Sequence, residues 1–368
     1  MAYSILTYEE IDREEWSKLV ASSSTGTWFQ TPEAYEFFAS QPELFKPFAV
    51  GVVRNPESDS GAMNEETLRG VCVGYVTKEK NAVKQYFTRR AIIIGGPALA
   101  DDASSEEVEL LMNGVRKMPI LNPSLKGRTL NAPIYIECRN FNDYSRWKGA
   151  FEKARFEYQK HLNFHVDCTD KEAMWERMSE NRKRQIKKGK PNLSPSLKGR
   201  DVSEADIREW YEILKELYRT KVRTPLWPVG VFLEAYKQGV GKFLLVKHEG
   251  KVIGGSMVVE WKPSLQGGVG GRLGTVYEWF ECGMNAQYKE QYPSVCATYA
   301  GMCYAAENGM ARYDMMGAGE PGVPYGVRDF KAEFGGKMVE HGRFKYICKP
   351  LLYKIGTIAV GILKKLKI

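Results

Sequence analysis

Three observations predict an α/β (α+β) chain of two domains. The 368 residues include 43% hydrophobic and 12% aromatic side chains, enough to fill two cores of ordinary size. Apolar runs of strand length alternate with segments of helical period along the whole chain. Each half runs from early helices through a meander of strands to a closing strand and helix, so the second half repeats the plan of the first without repeating its residues.

In the first half, Thr31 and Pro32 start a helix after the loop that carries Trp28, Phe29 and Gln30. Strands are expected over 48–53 and 68–76, joined by the polar hairpin loop RNPESDSGAMNEET. The run RRAIIIGGPAL predicts a third strand ending at Gly95, Gly96 and Pro97, and 101–105 lead into a helix over 106–117. A strand over 132–138 and a helix over 144–155 complete a unit of ordinary domain size. The boundary is expected near Val166. Beyond it come helices over 171–188, 204–220 and 231–238, then strands over 242–248, 251–260 and 274–280, with HEGK as the turn between the first two. A helix over 294–308 precedes the strand ARYDMM. The expected organisation is therefore 1–165, 166–350 and a separate C-terminal helix over 351–368.

Bulk chemistry narrows the class. Lys and Arg total 53 against 45 Asp and Glu, a net +8 that permits an anionic partner such as RNA, pyrophosphate or an acidic membrane surface. Seven widely spaced cysteines without a C-x-x-C pair speak against a zinc knuckle or a disulfide framework and suit a reducing cytosol. His161 and His165 lack an H-E-x-x-H context and read as structural, so no metal is expected. The opening MAYSILTYEEIDREEW has acids where a signal peptide needs an apolar run, and no stretch is apolar enough to span a bilayer. The expected location is the cytoplasm, with the inner face of the membrane as a working place.

Five constellations stand out. The stretch ARYDMMGAGEPGVPYGVRDFKAEFGG, 311–336, reads as a buried strand, a glycine-bearing loop and a helix from about Tyr325, on which Arg328 and Lys331 share a face. That pair suits a phosphate or a developing oxyanion as well as a solvated helix. NRKRQIKKGK carries Arg182, Lys187 and Lys190 and reads as a basic helix end or a phosphate patch. ELYRTKVRTPLWP sets Arg223 on a loop stiffened by Pro225, Trp227 and Pro228. Tyr277 and Trp279 alternate with Glu278 and Phe280, so one strand face lines a cleft or an ordinary core. From Leu351 onward the apolar residues fall on one arc of a helix and Lys354, Lys364, Lys365 and Lys367 fall outside it. Such a helix docks on its own domain or lies in a membrane interface. No G-x-S-x-G, Walker loop or metal-ligand spacing is present.

WERMSENRKRQIKKGK, YEWFECG, AENGMARYDMMGAGE and above all YGVRDFKAEFGG resemble the FemABX group of peptidoglycan-bridge aminoacyltransferases in the GNAT superfamily. The likeness is strongest over 175–353, with WFQTPEAY and IIIGGPAL similar in the first half. It implies two tandem GNAT-like domains, each a twisted mixed sheet flanked by helices, with a substrate channel on the second. It implies transfer of an aminoacyl group from aminoacyl-tRNA, a co-substrate rather than a bound cofactor, to an amine of a peptidoglycan precursor. Lys331 would steady the tetrahedral oxyanion, with Arg328 beside it. Arg223 and Tyr277 fall near positions that hold the precursor's phosphates and sugar, and Arg182 and Lys187 belong to a cluster suited to RNA or pyrophosphate. The chain departs from the pattern in lacking a lysine in the helix 33–38 and a long helical hairpin insertion. The acetyl-CoA signature is also absent, since Gln238 and Arg146 have glycine at the fourth place and phenylalanine at the sixth. A CoA-dependent N-acyltransferase acting on another amine and a non-catalytic binder of anionic lipid or nucleic acid are the alternatives.

Overall fold

In the computed structural model, which describes residues 2–55, 66–79, 82–118, 132–189, 202–263 and 274–365, the chain divides into two compact units. Residues 1–160 and 341–368 form the first, and 161–340 form the second. The first contains β1 (Tyr3–Thr7), α1 (Arg13–Ser22), α2 (Pro32–Ala39), β2 (Phe45–Arg54), β3 (Thr67–Thr77), α3 (Ala82–Thr88), β4 (Ala91–Gly95), β5 (Ala98–Leu99), α4 (Ser105–Lys117), β6 (Tyr135–Asn140), α5 (Lys148–Lys153) and β7 (Glu157–Gln159). From the chain's far end it receives β14 (Arg343–Ile347) and α12 (Pro350–Lys365). Its sheet runs β1-β2-β3-β4-β6-β14-β7, with β5 attached to β3. β2 and β3 are buried along nearly their whole length, which explains their almost continuous apolar runs.

Local chemistry starts and fastens these elements. The Thr31 hydroxyl accepts the Ala34 N–H at 3.2 Å, with Pro32 in the first turn of α2. Ser104 and Glu107 form a capping box at α4. The same Glu107 carboxylate is fully buried and takes Arg54 at 2.7 Å and Arg69 at 3.1 Å, tying α4 to β2 and β3.

The second unit contains β8 (Leu162–Asp167), α6 (Lys171–Glu176), α7 (Glu180–Gly189), α8 (Glu204–Leu217), α9 (Val229–Lys237), β9 (Lys242–His248), β10 (Lys251–Trp261), β11 (Thr275–Gly283), α10 (Pro293–Glu307), β12 (Arg312–Gly317), α11 (Gly326–Ala332) and β13 (Lys337–Glu340). Its sheet runs β13-β8-β12-β11-β10-β9. Helix α10 is apolar and buried on every side, as a central core helix must be.

Both sheets are mixed and flanked by helices, and they share one plan. Reading β2, β3, β4, β6, β14 and β7 against β9, β10, β11, β12, β8 and β13 gives the same order and the same parallel and antiparallel pairings. One strand in each set is exchanged in sequence. β8 follows β7 directly yet belongs to the second sheet, and β14 follows β13 yet pairs with β6 and β7 in the first.

That exchange moves the boundaries from the expected 165/166 and 350 to 160/161 and 340/341, and it joins 351–368 to the first unit. Adjacency in sequence does not dictate the pairing partner when two sheets offer equivalent slots. The third strand of the first half ends at Gly95 as expected, where Gly95 and Gly96 adopt φ of +85° and +79°, and the two-residue β5 follows it. Other expected elements are subdivided. The helix expected over 171–188 stops at Glu176, because Ser179 caps a new one by accepting the Arg182 N–H at 3.1 Å. The expected helix 144–155 is a single tight turn at Ser145–Trp147 followed by α5. The short strands β1, β7, β8, β13 and β14 and helices α1 and α3 carry too little periodicity to read from sequence. Residues 56–65 of the hairpin loop, Lys190 and Leu366–Ile368 lie outside the described residues.

Candidate functional site

The second sheet contains an opening. Strands β11 and β12 are parallel and pair only at Thr275 with Arg312, Val276 with Tyr313 and Tyr277 with Asp314. Beyond those pairs both strands continue, to Gly283 and Gly317, unjoined to each other. The carboxyl ends of parallel strands that part are where open sheets of this kind accept ligands. Two irregularities mark the place. Trp279 is an extra residue on β11, since Phe280 pairs with Met257 and Glu278 with Val258. Met316 adopts φ +58°, a left-handed conformation costly for a long side chain, and its N–H is held by Asp314 Oδ1 at 2.7 Å.

The bulge has a chemical consequence. In a regular strand Glu278 and Glu281 would point to opposite faces, but one extra residue turns both toward α10. Glu278 Oε1 accepts the Thr298 hydroxyl at 2.9 Å and the Tyr313 hydroxyl at 2.8 Å. Gly301 makes room for that tyrosine, because a β-carbon there would lie 2.3 Å from its oxygen. Burial pushes the Glu278 carboxyl above its ordinary range, and the nearby Lys331 and the two hydroxyl donors offset this only in part. Glu281, near Ser294, is pushed up to about 8 by burial and then by the neighbouring Glu278. Asp314 behaves differently. Burial alone would raise it, but His165, with Nε2 3.2 Å from Oδ2, and Arg312 outweigh burial and hold it below the usual carboxylate range.

Lys331 reaches this cluster from α11. It is 8% exposed, and its Nζ donates to the carbonyl of Met315 and, at 2.8 Å, to that of Gly317, just past the last β11–β12 pair. Burial lowers its pKa, and Glu278, Asp314 and Glu281 counter that only in part. An ammonium has three hydrogens and two are committed, so one remains for a further acceptor. Arg328 acts on the loop before the helix. Its guanidinium donates to the carbonyls of Ala318 at 2.9 Å, Val323 at 3.0 Å and Glu320, and so clamps 318–323.

Tyr277 is fully buried beside Arg312 and Thr275 and is pushed up to about 12 by burial. Arg182 is buried behind α11, with its guanidinium 4.5 Å from the Phe330 ring and 4.4 Å from the Phe334 ring and a bond to the Phe330 carbonyl at 3.1 Å. It therefore supports the helix that carries Lys331. Lys187 is exposed and lies 5.8 Å over Trp175. Arg223 is exposed at the end of the π-helical turn Tyr218–Val222, in a left-handed conformation at φ +55°. Among the described residues neither Lys187 nor Arg223 bonds to the Lys331 cluster. The Arg223 loop nevertheless packs on the bulged strand, with Trp227 5.3 Å from Trp279 and 5.4 Å from Phe280.

Sequence reasoning missed Glu281, Thr298, Tyr313 and Asp314, and it read His165 as structural. An acid inside an otherwise apolar strand, as in TVYEWFECG, was the available signal. Burial drives the thiols of Cys168, Cys296 and Cys348 to about 12, away from the nucleophilic thiolate. No group of three or more metal-ligating side chains occurs among the described residues.

The region that holds the bulge, the opening and Lys331 is also where comparison with known families succeeds. Residues 262–360 match the FemAB family. The FemAB-like stretch includes β11, α10, β12 and α11 and ends within α12. The crystal structure of FemX is similar in fold, with a TM-score of 0.58 at 12% identity, covering 96% of this chain and 99% of that one. A tandem GNAT protein from the clavulanic acid biosynthesis pathway, solved without AcCoA, has a TM-score of 0.50 at 8% identity and covers 94% and 98% respectively. At those identities the likeness speaks for the tandem GNAT-like fold. No curated protein sequence matches the chain.

Proposed function

We propose that this FemAB-like chain is an acyltransferase of the Fem type, moving an aminoacyl group from aminoacyl-tRNA to an amine of a peptidoglycan precursor in the cytoplasm. The observation that carries this reading is Lys331, a buried ammonium with one uncommitted hydrogen at the mouth of the β11–β12 opening. The acceptor amine attacks the acyl carbonyl directly, and Lys331 donates to the oxygen as it takes on charge. The tetrahedral adduct collapses by breaking the ester C–O bond, so that the tRNA leaves as its ribose hydroxyl carrying the proton the amine gives up. The clamp of Arg328 and the packing of Arg182 on α11 keep that donor in place, so much of the rate comes from positioning. Glu281, pushed up to about 8 by burial, is suited to exchange a proton with a group that reaches the acid cluster.

Lys331→Ala is expected to lower transfer by roughly 100-fold to 1,000-fold while the protein still melts cooperatively. The assay follows labelled aminoacyl groups from tRNA to a cell-wall precursor. A full rate in that variant would sink the assignment.

A second reading, a CoA-dependent N-acyltransferase, is favoured by the same opening. Past Tyr277, β11 is unjoined to β12 and can pair with the amides of an extended pantetheine arm. Saturable thermal stabilisation by acyl-CoA, with none by aminoacyl-tRNA, would select it.

A further inference from the structure

The last helix has chemistry that acyl transfer does not use. No Asp or Glu follows Glu340, so seven cations after it stand unopposed in sequence, against a net charge of +8 for the whole chain. Arg343 and Lys345 are engaged by Glu137, and Lys349 lies over Tyr86. The other four, Lys354, Lys364, Lys365 and Lys367, belong to α12 and the residues after it. Among the described side chains of α12, its root is anchored through half-buried Leu352 and through Tyr353, 5.8 Å from Tyr135. Leu351, beside the root, and Ile355 and Ile358, beyond it, are 72%, 50% and 54% exposed, and their spacing sets them on one helical face.

An exposed apolar face of this kind needs an occupant. A second copy is a poor one, since pairing two such helices would gather their lysines with no acid between them. Nucleic acid would use the lysines but leave the three aliphatic side chains in water. An anionic bilayer surface satisfies both, because acyl chains accept the apolar face while acidic headgroups attract the lysines. At 16 residues α12 is about 24 Å long, short of the roughly 30 Å of a bilayer's hydrocarbon core. No helix among the described residues is long and apolar enough to cross a membrane.

We infer that α12 lies in the surface of an anionic phospholipid bilayer, with Leu351, Ile355 and Ile358 entering the acyl boundary and the lysines drawing the helix to acidic headgroups. The inference does not depend on the acyltransferase reading, and its test does not measure transfer.

Full-length protein is sedimented with vesicles of phosphatidylcholine alone and with vesicles that also contain phosphatidylglycerol. Binding to the anionic vesicles is expected to exceed binding to the neutral ones by at least about tenfold and to weaken as salt is added. The combined Leu351→Glu, Ile355→Glu and Ile358→Glu variant should bind roughly tenfold or more weakly with an unchanged melting temperature, because all three positions are exposed. Absence of sedimentation with anionic vesicles, equal binding to both kinds, or a triple variant that binds like the wild type would each overturn the inference. So would a dimer, or a complex with tRNA, that the triple variant abolishes while vesicle binding persists.

Discussion

The two sheets share a strand plan but treat their buried polar groups in opposite ways. In the first, Glu137 is buried on β6, yet Arg139 lies at 2.8 Å, Arg343 at 3.3 Å and Lys345 at 3.5 Å. Burial alone would raise its pKa, but the three cations outweigh burial and bring it to about 2. In the second, Glu278 and Glu281 are left mostly to burial and rise, Glu281 to about 8. One sheet neutralises its carboxylate by full pairing, whereas the other keeps carboxyls that burial pushes up, Glu281 to about 8.

The openings differ in the same sense. In the first sheet the parallel pair β4 and β6 stays joined over five registers, from Ala91 with Ile136 to Gly95 with Asn140. Where β3 and β4 separate, Gln30 closes the gap, donating to the Val73 carbonyl at 3.1 Å and the Ile94 carbonyl at 2.8 Å and accepting the Val73 N–H at 2.7 Å. A neutral amide thus replaces a missing stretch of ladder. In the second sheet the parting strands are capped by a charged lysine with a hydrogen to spare. Similar architecture yields a closed sheet in one unit and an open mouth in the other.

The contrast can be broken at its ends. Glu137→Ala strands three cations around an apolar methyl and is expected to cost about 3–5 kcal/mol in urea unfolding, with transfer per folded molecule unchanged. A loss below about 1 kcal/mol would mean that Glu137 is not the structural counterpart described here. Gln30→Ala orphans one buried N–H and two buried carbonyls and should cost about 2–3 kcal/mol. Hydrogen exchange at Val73 should rise with it, whereas a silent substitution would show that water closes the gap equally well.

The remaining effect is a slope. Glu281 has a pKa of about 8 in the folded chain against an ordinary value of 4.5, so between those limits the native state holds a proton that the unfolded state has released. Stability from this group therefore falls as pH rises from about 4.5 to about 8. Glu281→Gln should flatten that fall, gaining on the wild type as pH increases when denaturation midpoints are compared at pH 5 and pH 8. Parallel profiles for the two proteins would place the Glu281 carboxyl in water.

The sequence alone determined the two-part α/β plan, most long strands and helices, and the interest of 311–336, because hydrophobic period, capping residues and glycine turns are local signals. It also put Lys331 and Arg328 on one helix after a glycine loop, where they looked like a matched pair. Tertiary structure separated their roles. Arg328 is consumed by loop carbonyls, while Lys331 is buried against β12 and the acid cluster. Arg182 likewise reads as a surface cation beside other lysines, but its guanidinium packs between aromatic rings.

Three features were decided only in three dimensions: the exchange of β8 and β14, the bulge at Trp279 that turns Glu278 and Glu281 to one face, and the separation of β11 from β12. Each depends on which strand sits alongside and in what register, a choice set by packing between residues far apart in sequence. Local periodicity says that a strand has a buried face, but a single extra residue reverses which side chains occupy it.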